Sequence, residues 1–147
     1  LEWSIHRYLF HGLGRKKGSL FSFHYHEHHR AVRKSNGADA SYQGSFLAWN
    51  AYGREVCGIA LVLVAHIPLA KVSLPAFLVM AGMGWNYHRL HRKSHEDPEW
   101  CREQLRWHWE HHMSPHHDAN WCVTNEWFDK LMGTRKTWVR KQDRKAG

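Results

Sequence analysis

Most of the chain alternates polar, charged and aromatic residues without long apolar stretches. Two runs break that pattern, Val56–Ala70 (VCGIALVLVAHIPLA) and Val72–Trp85 (VSLPAFLVMAGMGW), with Lys71 between them. They predict a helical hairpin: Pro68 is expected to end the first helix, and Ser73 with Pro75 suits the cap and first turn of the second. At 1.5 Å per residue, a run of about 15 residues covers about 22 Å, short of a hydrocarbon layer of roughly 30 Å. Extension to Trp49 and Tyr52 on one side, and to Trp85 and Tyr87 on the other, brings each helix near a spanning length. Arg54 and Glu55 then sit at the boundary, within an aromatic belt. The competing reading is a buried hairpin in a soluble bundle.

A hairpin returns the chain to the side it left, so the polar segments before and after it share one face. Arg15, Lys16, Lys17, Arg30, Arg33, Lys34, Arg89, Arg92, Lys93 and the run from Arg135 to Lys145 make that face basic, which predicts a cytoplasmic orientation. Taken alone, the basic tail reads as a solvated end.

Both flanking segments are rich in histidine. His108, His111 and His112 have offsets 0, 3 and 4, within one third of a helix's circumference. His91 and His95 share a face, with His88 one turn before His91. His24 and His28 share another, while His26 and His29 point elsewhere. His6 and His11 lie five apart, which rotates their rings by about 140° on an α-helix, so they meet only across its front. His66, alone in an apolar run, reads as structural. Burying so many titratable rings without partners is costly, and metal coordination accounts for them. Eight to ten candidate ligands exceed what one four-coordinate ion takes, so two metals are expected. Imidazole serves zinc, copper, iron and nickel alike.

Composition narrows the field. The chain has 147 residues, a mean hydropathy of -0.65 and a formal charge of +8, with 15 His against 3 Cys, none in a C-x-x-C pair. That suits one domain, 1–147, and excludes a disulfide framework or cysteine zinc ribbon. The charge suits nucleic acid as well as anionic lipid, but there is no C2H2 spacing or RNA-recognition signature, and an apolar hairpin has no place in such a module. No nucleic-acid partner is expected. The chain opens on Leu1 without a secretory signal, so an upstream part is expected to be missing.

The order His6/His11, a His-rich box ending in His28-His29, a hairpin, a middle histidine pair and H-x2-HH (His108, His111, His112) resembles the fatty acid hydroxylase and sterol desaturase superfamily of membrane non-haem di-iron oxygenases. The opening Glu2-Trp-Ser-Ile-His6-Arg7-Tyr8-Leu9-Phe10-His11 is similar to its fatty acid hydroxylase branch. Asn120-Trp121-Cys122-Val123-Thr124 with Asp129-Lys-Leu131-Met-Gly133-Thr134 resembles that family's closing segment. The likeness runs from Glu2 to Thr134.

Two boxes depart from the pattern. Tyr25 stands where the second box carries its first histidine; His24 is favoured because it shares a face with His28, and His26 is the alternative. Tyr87 stands where the middle box expects a histidine four before His91, leaving His88 with His91, or His91 with His95.

The resemblance implies an all-α, membrane-embedded bundle with a cytoplasmic His-rich cap, in a bacterial inner membrane or endoplasmic reticulum. It implies two iron ions, replaceable by zinc, with O2 as co-substrate and ligands among His6, His11, His24, His28, His29, His88, His91, His95, His108, His111 and His112. The activity implied is hydroxylation or desaturation of a lipid C–H bond, in a fatty acyl chain first, with carotenoid or sterol as alternatives. Electrons must come from a donor such as cytochrome b5 or a ferredoxin, because no flavin, nicotinamide or haem signature is present. Glu27, Glu110 and Asp118, with Glu96 and Asp97, stand beside the boxes as candidates to orient the rings. A non-enzymatic His-rich zinc module is the alternative from another class.

Overall fold

A computed structural model describes residues 1–116 and 118–138; His117 and most of the basic tail lie outside the described residues. The described residues are helical, with no strand among them. The chain begins with α1 (Glu2–Ser4), which runs into a π-helix, Ile5–Gly12. A second π-helix, His24–His28, passes into α2 (His29–Lys34). A 3-10 turn, Ala40–Gln43, leads to the hairpin.

The hairpin's first arm is α3 (Ala51–Ala65), capped by Asn50 accepting from Gly53 N, followed by α4 (Ile67–Val72). Pro68 therefore opens a helix rather than ending one. The break falls at His66, where the backbone leaves the helical region and the ring Nδ1 sits 2.7 Å from the Val62 carbonyl. Pro68 has no N–H to bond back to Val64, so the ladder of α3 stops and a new helix starts at Ile67 with Pro68 in its first turn. Ser73 caps α5 (Leu74–Glu96) by accepting from Ala76 N, as expected.

Together Ala51–Val72 make a 22-residue segment long and apolar enough to cross a membrane. This is longer than the 15-residue run alone, and at 1.5 Å per residue it reaches about 33 Å. Its first turn is buried at Ala51, Tyr52, Gly53 and Glu55, but none of the residues beyond Glu55 is buried, and Leu61, Val64, Ile67 and Val72, with Leu78 and Val79 of α5, are all more than half exposed.

The chain returns through α6 (Pro98–Gln104), α7 (Arg106–Met113) and α8 (Trp127–Leu131). Two small apolar clusters pack this half: Trp3 with Trp121 and Cys122, and Cys101 with Leu105 and Trp109. Between them the interior is imidazole. His6, His11, His24, His28, His29, His91, His95, His108, His111 and His112 are each at most 4% exposed.

Candidate metal centre

The buried rings fall into two groups whose ligand atoms lie within 4.8 Å of one another. Group A is His6, His11, His24, His29 and His111; group B is His28, His91, His95 and His112. His108 stands against group B, its Nε2 3.3 Å from that of His95.

Local helix geometry explains the sorting. His6 and His11, and again His24 and His29, are five apart. A π-helix bonds i to i+5 and brings such residues nearly over one another, so each π segment delivers a pair to group A. Ring centroids are 5.1 Å apart in the first pair and 5.0 Å in the second. The pairs face each other through His6–His24 and His11–His29, both Nε2 contacts at 3.0 Å. The 140° rotation expected for an α-helix does not apply.

His24 thus joins the site through His29, not through a face shared with His28. His26 turns outward, its Nε2 3.0 Å from the Arg15 carbonyl. In the middle box, α5 places His91 and His95 together in group B. His88 lies outside both groups, stacked on Tyr52 at 5.7 Å.

The doublets His28-His29 and His111-His112 each send one ring to either group, because adjacent helical residues point about 100° apart. The three rings of α7 therefore do not serve one centre. His29 and His112, 4.3 Å apart by centroid, join the two groups. Aromatic rings close each group: Trp121 over His6, His11 and His111, and Tyr42 over His28, His91 and His95.

The outer ring nitrogens fix tautomers. His6 Nδ1 donates to the Trp121 carbonyl (2.5 Å), His111 Nδ1 to Ala119 (2.7 Å) and His95 Nδ1 to Gly37 (3.1 Å). His28 Nδ1 donates to Asp39 (2.8 Å) and His91 Nδ1 to Glu55 (2.6 Å). Assigned from these partners, His91 and His95 keep their lone pairs on Nε2, yet the two Nε2 atoms stand 3.2 Å apart. Facing lone pairs repel, and a cation between them reverses the sign.

The spacing fits a metal. Two ligands on bonds of about 2.0–2.1 Å, at angles between square and tetrahedral, stand about 2.9–3.4 Å apart, and the Nε2 contacts here run from 3.0 to 3.3 Å. His28 Nε2 and both nitrogens of His112 are buried without hydrogen-bond partners among the described residues. Burial pushes His24, His29, His111 and His112 well below the ordinary imidazole range, with neighbouring rings adding to it, and takes His6 to about 4. These five rings are neutral near pH 7, the form that ligates. Both groups could hold a metal ion.

The carboxylates at the rings are Asp39 and Glu55, neither among those anticipated. Asp39 is aimed by accepting from Ser41 N (2.9 Å), and Glu55 accepts from the Tyr42 hydroxyl (2.7 Å). Burial opposes the Asp39 charge, but the hydrogen bond and attraction of His28 outweigh it and draw its carboxyl down to about 2. Gly37, whose carbonyl takes His95, has φ +108°, and a Cβ there would meet Trp109 at 2.3 Å.

Glu27, Glu110 and Asp118 are engaged elsewhere. Glu27 pairs with Arg54 and Asp118 with Arg15 at the surface. Glu110 is buried, but two residues beyond His108 it points away from the rings, to Arg106 (3.2 Å) and Arg135 (2.6 Å). Glu96 pairs with Arg92, and Asp97 caps α6 at Trp100 N.

The closing segment has a physical role at group A. Asp129 accepts from Trp121 N (2.9 Å) and Cys122 N (2.8 Å), while Glu2 holds Val123 N and Thr124 N. Those bonds fix the strand of backbone whose carbonyls orient His6 and His111.

A cavity of about 470 Å³ adjoins the centre. Ile59, Val62 and Leu63 of α3, Met80 and Met83 of α5, and Leu9, Phe10 and Phe21 from the first segments give it apolar walls. His6 and Glu55 line it too. Comparison with family models, with curated proteins and with solved structures finds no match to this chain.

Proposed function

We propose that this chain forms the metal-binding part of a membrane di-iron oxygenase of the fatty acid hydroxylase and sterol desaturase type. It acts on an unactivated C–H bond of a lipid, with a fatty acyl chain as the first choice. The observation that carries the reading is the cavity, which runs from the apolar hairpin to His6 and Glu55. Apolar walls of aliphatic and aromatic side chains recognise a chain without hydrogen-bonding groups, and one end borders His6.

Hydroxylation balances as R–H + O2 + 2 e⁻ + 2 H⁺ giving R–OH and water. Bound iron supplies the reductive activation of O2. The chain's own residues do the rest. Ten buried rings hold and space the ions, Asp39, Glu55 and the carbonyls of Gly37, Ala119 and Trp121 set ring orientation, and Trp121 and Tyr42 exclude water. The two electrons come from a protein donor of the cytochrome b5 or ferredoxin kind, drawn to the basic face. The exposed apolar surface of Ala51–Val72 lies in the bilayer, with the histidine cap on the cytoplasmic side.

The test is lipid analysis of a host expressing the full-length gene under ¹⁸O2, against the same host without it. The expected result is a new hydroxylated lipid carrying one ¹⁸O atom, or a new alkene, from protein holding about two irons per chain. A protein loaded with two irons that leaves the host's lipids unchanged overturns the reading, and a soluble zinc-loaded protein favours the non-enzymatic module.

A further inference from the structure

The two groups differ in what lies behind their ligands. In group A, His6 and His111 donate to neutral main-chain carbonyls. In group B, His28 and His91 donate to Asp39 and Glu55, which are 4% and 2% exposed. Both carboxylates are themselves held, Asp39 by Ser41 N and Glu55 by the hydroxyl of Tyr42, which is 1% exposed.

A carboxylate accepting an imidazole N–H strengthens the ring's other nitrogen as a ligand, more than a neutral carbonyl does. It also supplies negative charge. A dication among neutral rings in a dry interior has no counter-charge, and two buried carboxylates one ring away provide it. Position in the fold separates the groups further. His6 of group A borders the cavity, whereas in group B the cavity reaches only Glu55, behind His91.

We propose that Asp39 and Glu55 make group B the tighter of two unequal sites for a divalent transition-metal ion, so that it fills first and anchors the cap, while group A, beside the cavity, fills second. The inference rests on the two-metal reading. It adds that the sites are ranked, and names the two side chains that rank them.

The experiment is a titration of chelator-stripped, detergent-purified full-length protein with Co²⁺ against a competing chelator, with bound metal counted by mass spectrometry. The wild type should bind two ions in separate steps. Asp39→Asn and Glu55→Gln should each weaken the first step by roughly 10–100-fold and move the second less. Tyr42→Phe, which removes a donor to Glu55 but keeps both carboxylates, should shift the first step less than either. Helix content at saturating Co²⁺ shows whether each variant has folded.

Ligand variants give an independent answer if the carboxylate variants misfold. His112→Ala should delete the tight step and His111→Ala the weak one. Loss of the tight step in His111→Ala overturns the ranking, as does a first step unmoved in folded Asp39→Asn and Glu55→Gln. Two equal steps in the wild type also overturn it while leaving two metals in place, whereas one ion or none removes the two-metal reading itself.

Discussion

The cap and the hairpin are built in opposite senses. In the cap, ten imidazoles are buried together with Asp39, Glu110 and Asp129, while ion pairs such as Arg92–Glu96 and Lys93–Asp97 face out. In the hairpin, leucines and valines face out, and Glu55, at its mouth, is buried at 2% exposure. Apolar burial supplies most of the free energy of an ordinary domain, but the cap's apolar clusters are small. On the two-metal reading its cohesion comes from what the rings bind, whereas the hairpin's comes from its own backbone bonds and its surroundings.

Metal removal should break the two apart most clearly. A stripped cap keeps its desolvated rings and the facing Nε2 atoms of His91 and His95 with nothing between them, and binding energy at such a site is also folding energy. Chelation in detergent is expected to accelerate amide exchange by orders of magnitude across 5–12, 24–34 and 106–113, while 55–65 and 76–85 stay protected. A stripped protein with equal protection in both regions would show that the cap stands without metal.

Acid should act next, and on the same side. Burial lowers the pKa of His24, His29, His91, His95, His108, His111 and His112, and takes His6 to about 4, below the ordinary value near 6.5. Between those values the open chain takes up protons that the folded cap refuses, so stability is complete above about pH 6.5 and falls as pH drops toward 4. Protons compete with metal for the same nitrogens, which adds in the same direction. Metal release and loss of cap helicity, followed from pH 7.5 to 5, should coincide and begin below about 6.5. Release that begins only above pH 7.5, on raising the pH, would contradict the sign.

What could be read from the residues follows the same division. The hairpin, its Ser73 cap and the histidine boxes were legible because apolar runs and clustered rings are local signals. Which ring meets which was not. An assumed 3.6-residue period hides the π segments, although the repeated five-residue spacing of His6/His11 and His24/His29 was their trace. Asp39 and Glu55 stand ten or more residues from the rings they meet, so nearness in sequence to a box does not single them out. On α7 the neighbour of a ligand, Glu110, points to the opposite side, and the carboxylates that reach the rings arrive from elsewhere in the chain. Glu55 did carry a signal: an acidic residue opening an apolar helix needs a partner.

The smallest effect expected sharpens the boundary between the regions at the two histidines on the hairpin's arms. His66 has its Nδ1 on the Val62 carbonyl at the break before α4, and His88 stacks on Tyr52 at 5.7 Å with the planes 11° apart. Neither belongs to a metal group. His66→Ala removes one hydrogen bond and His88→Ala two aromatic pairs, with Tyr52 and Trp85, each interaction about 1 kcal/mol. Both variants should keep two metals per chain and lower the thermal midpoint by only a few degrees, whereas His91→Ala, three residues from His88 on the same helix, should lose a metal. Mass-spectrometric metal counts on the three purified proteins make the comparison. If His88→Ala fell to one metal as His91→Ala does, the border of the centre on α5 would lie a full turn closer to the hairpin, and His88 would have to be counted among the ligands.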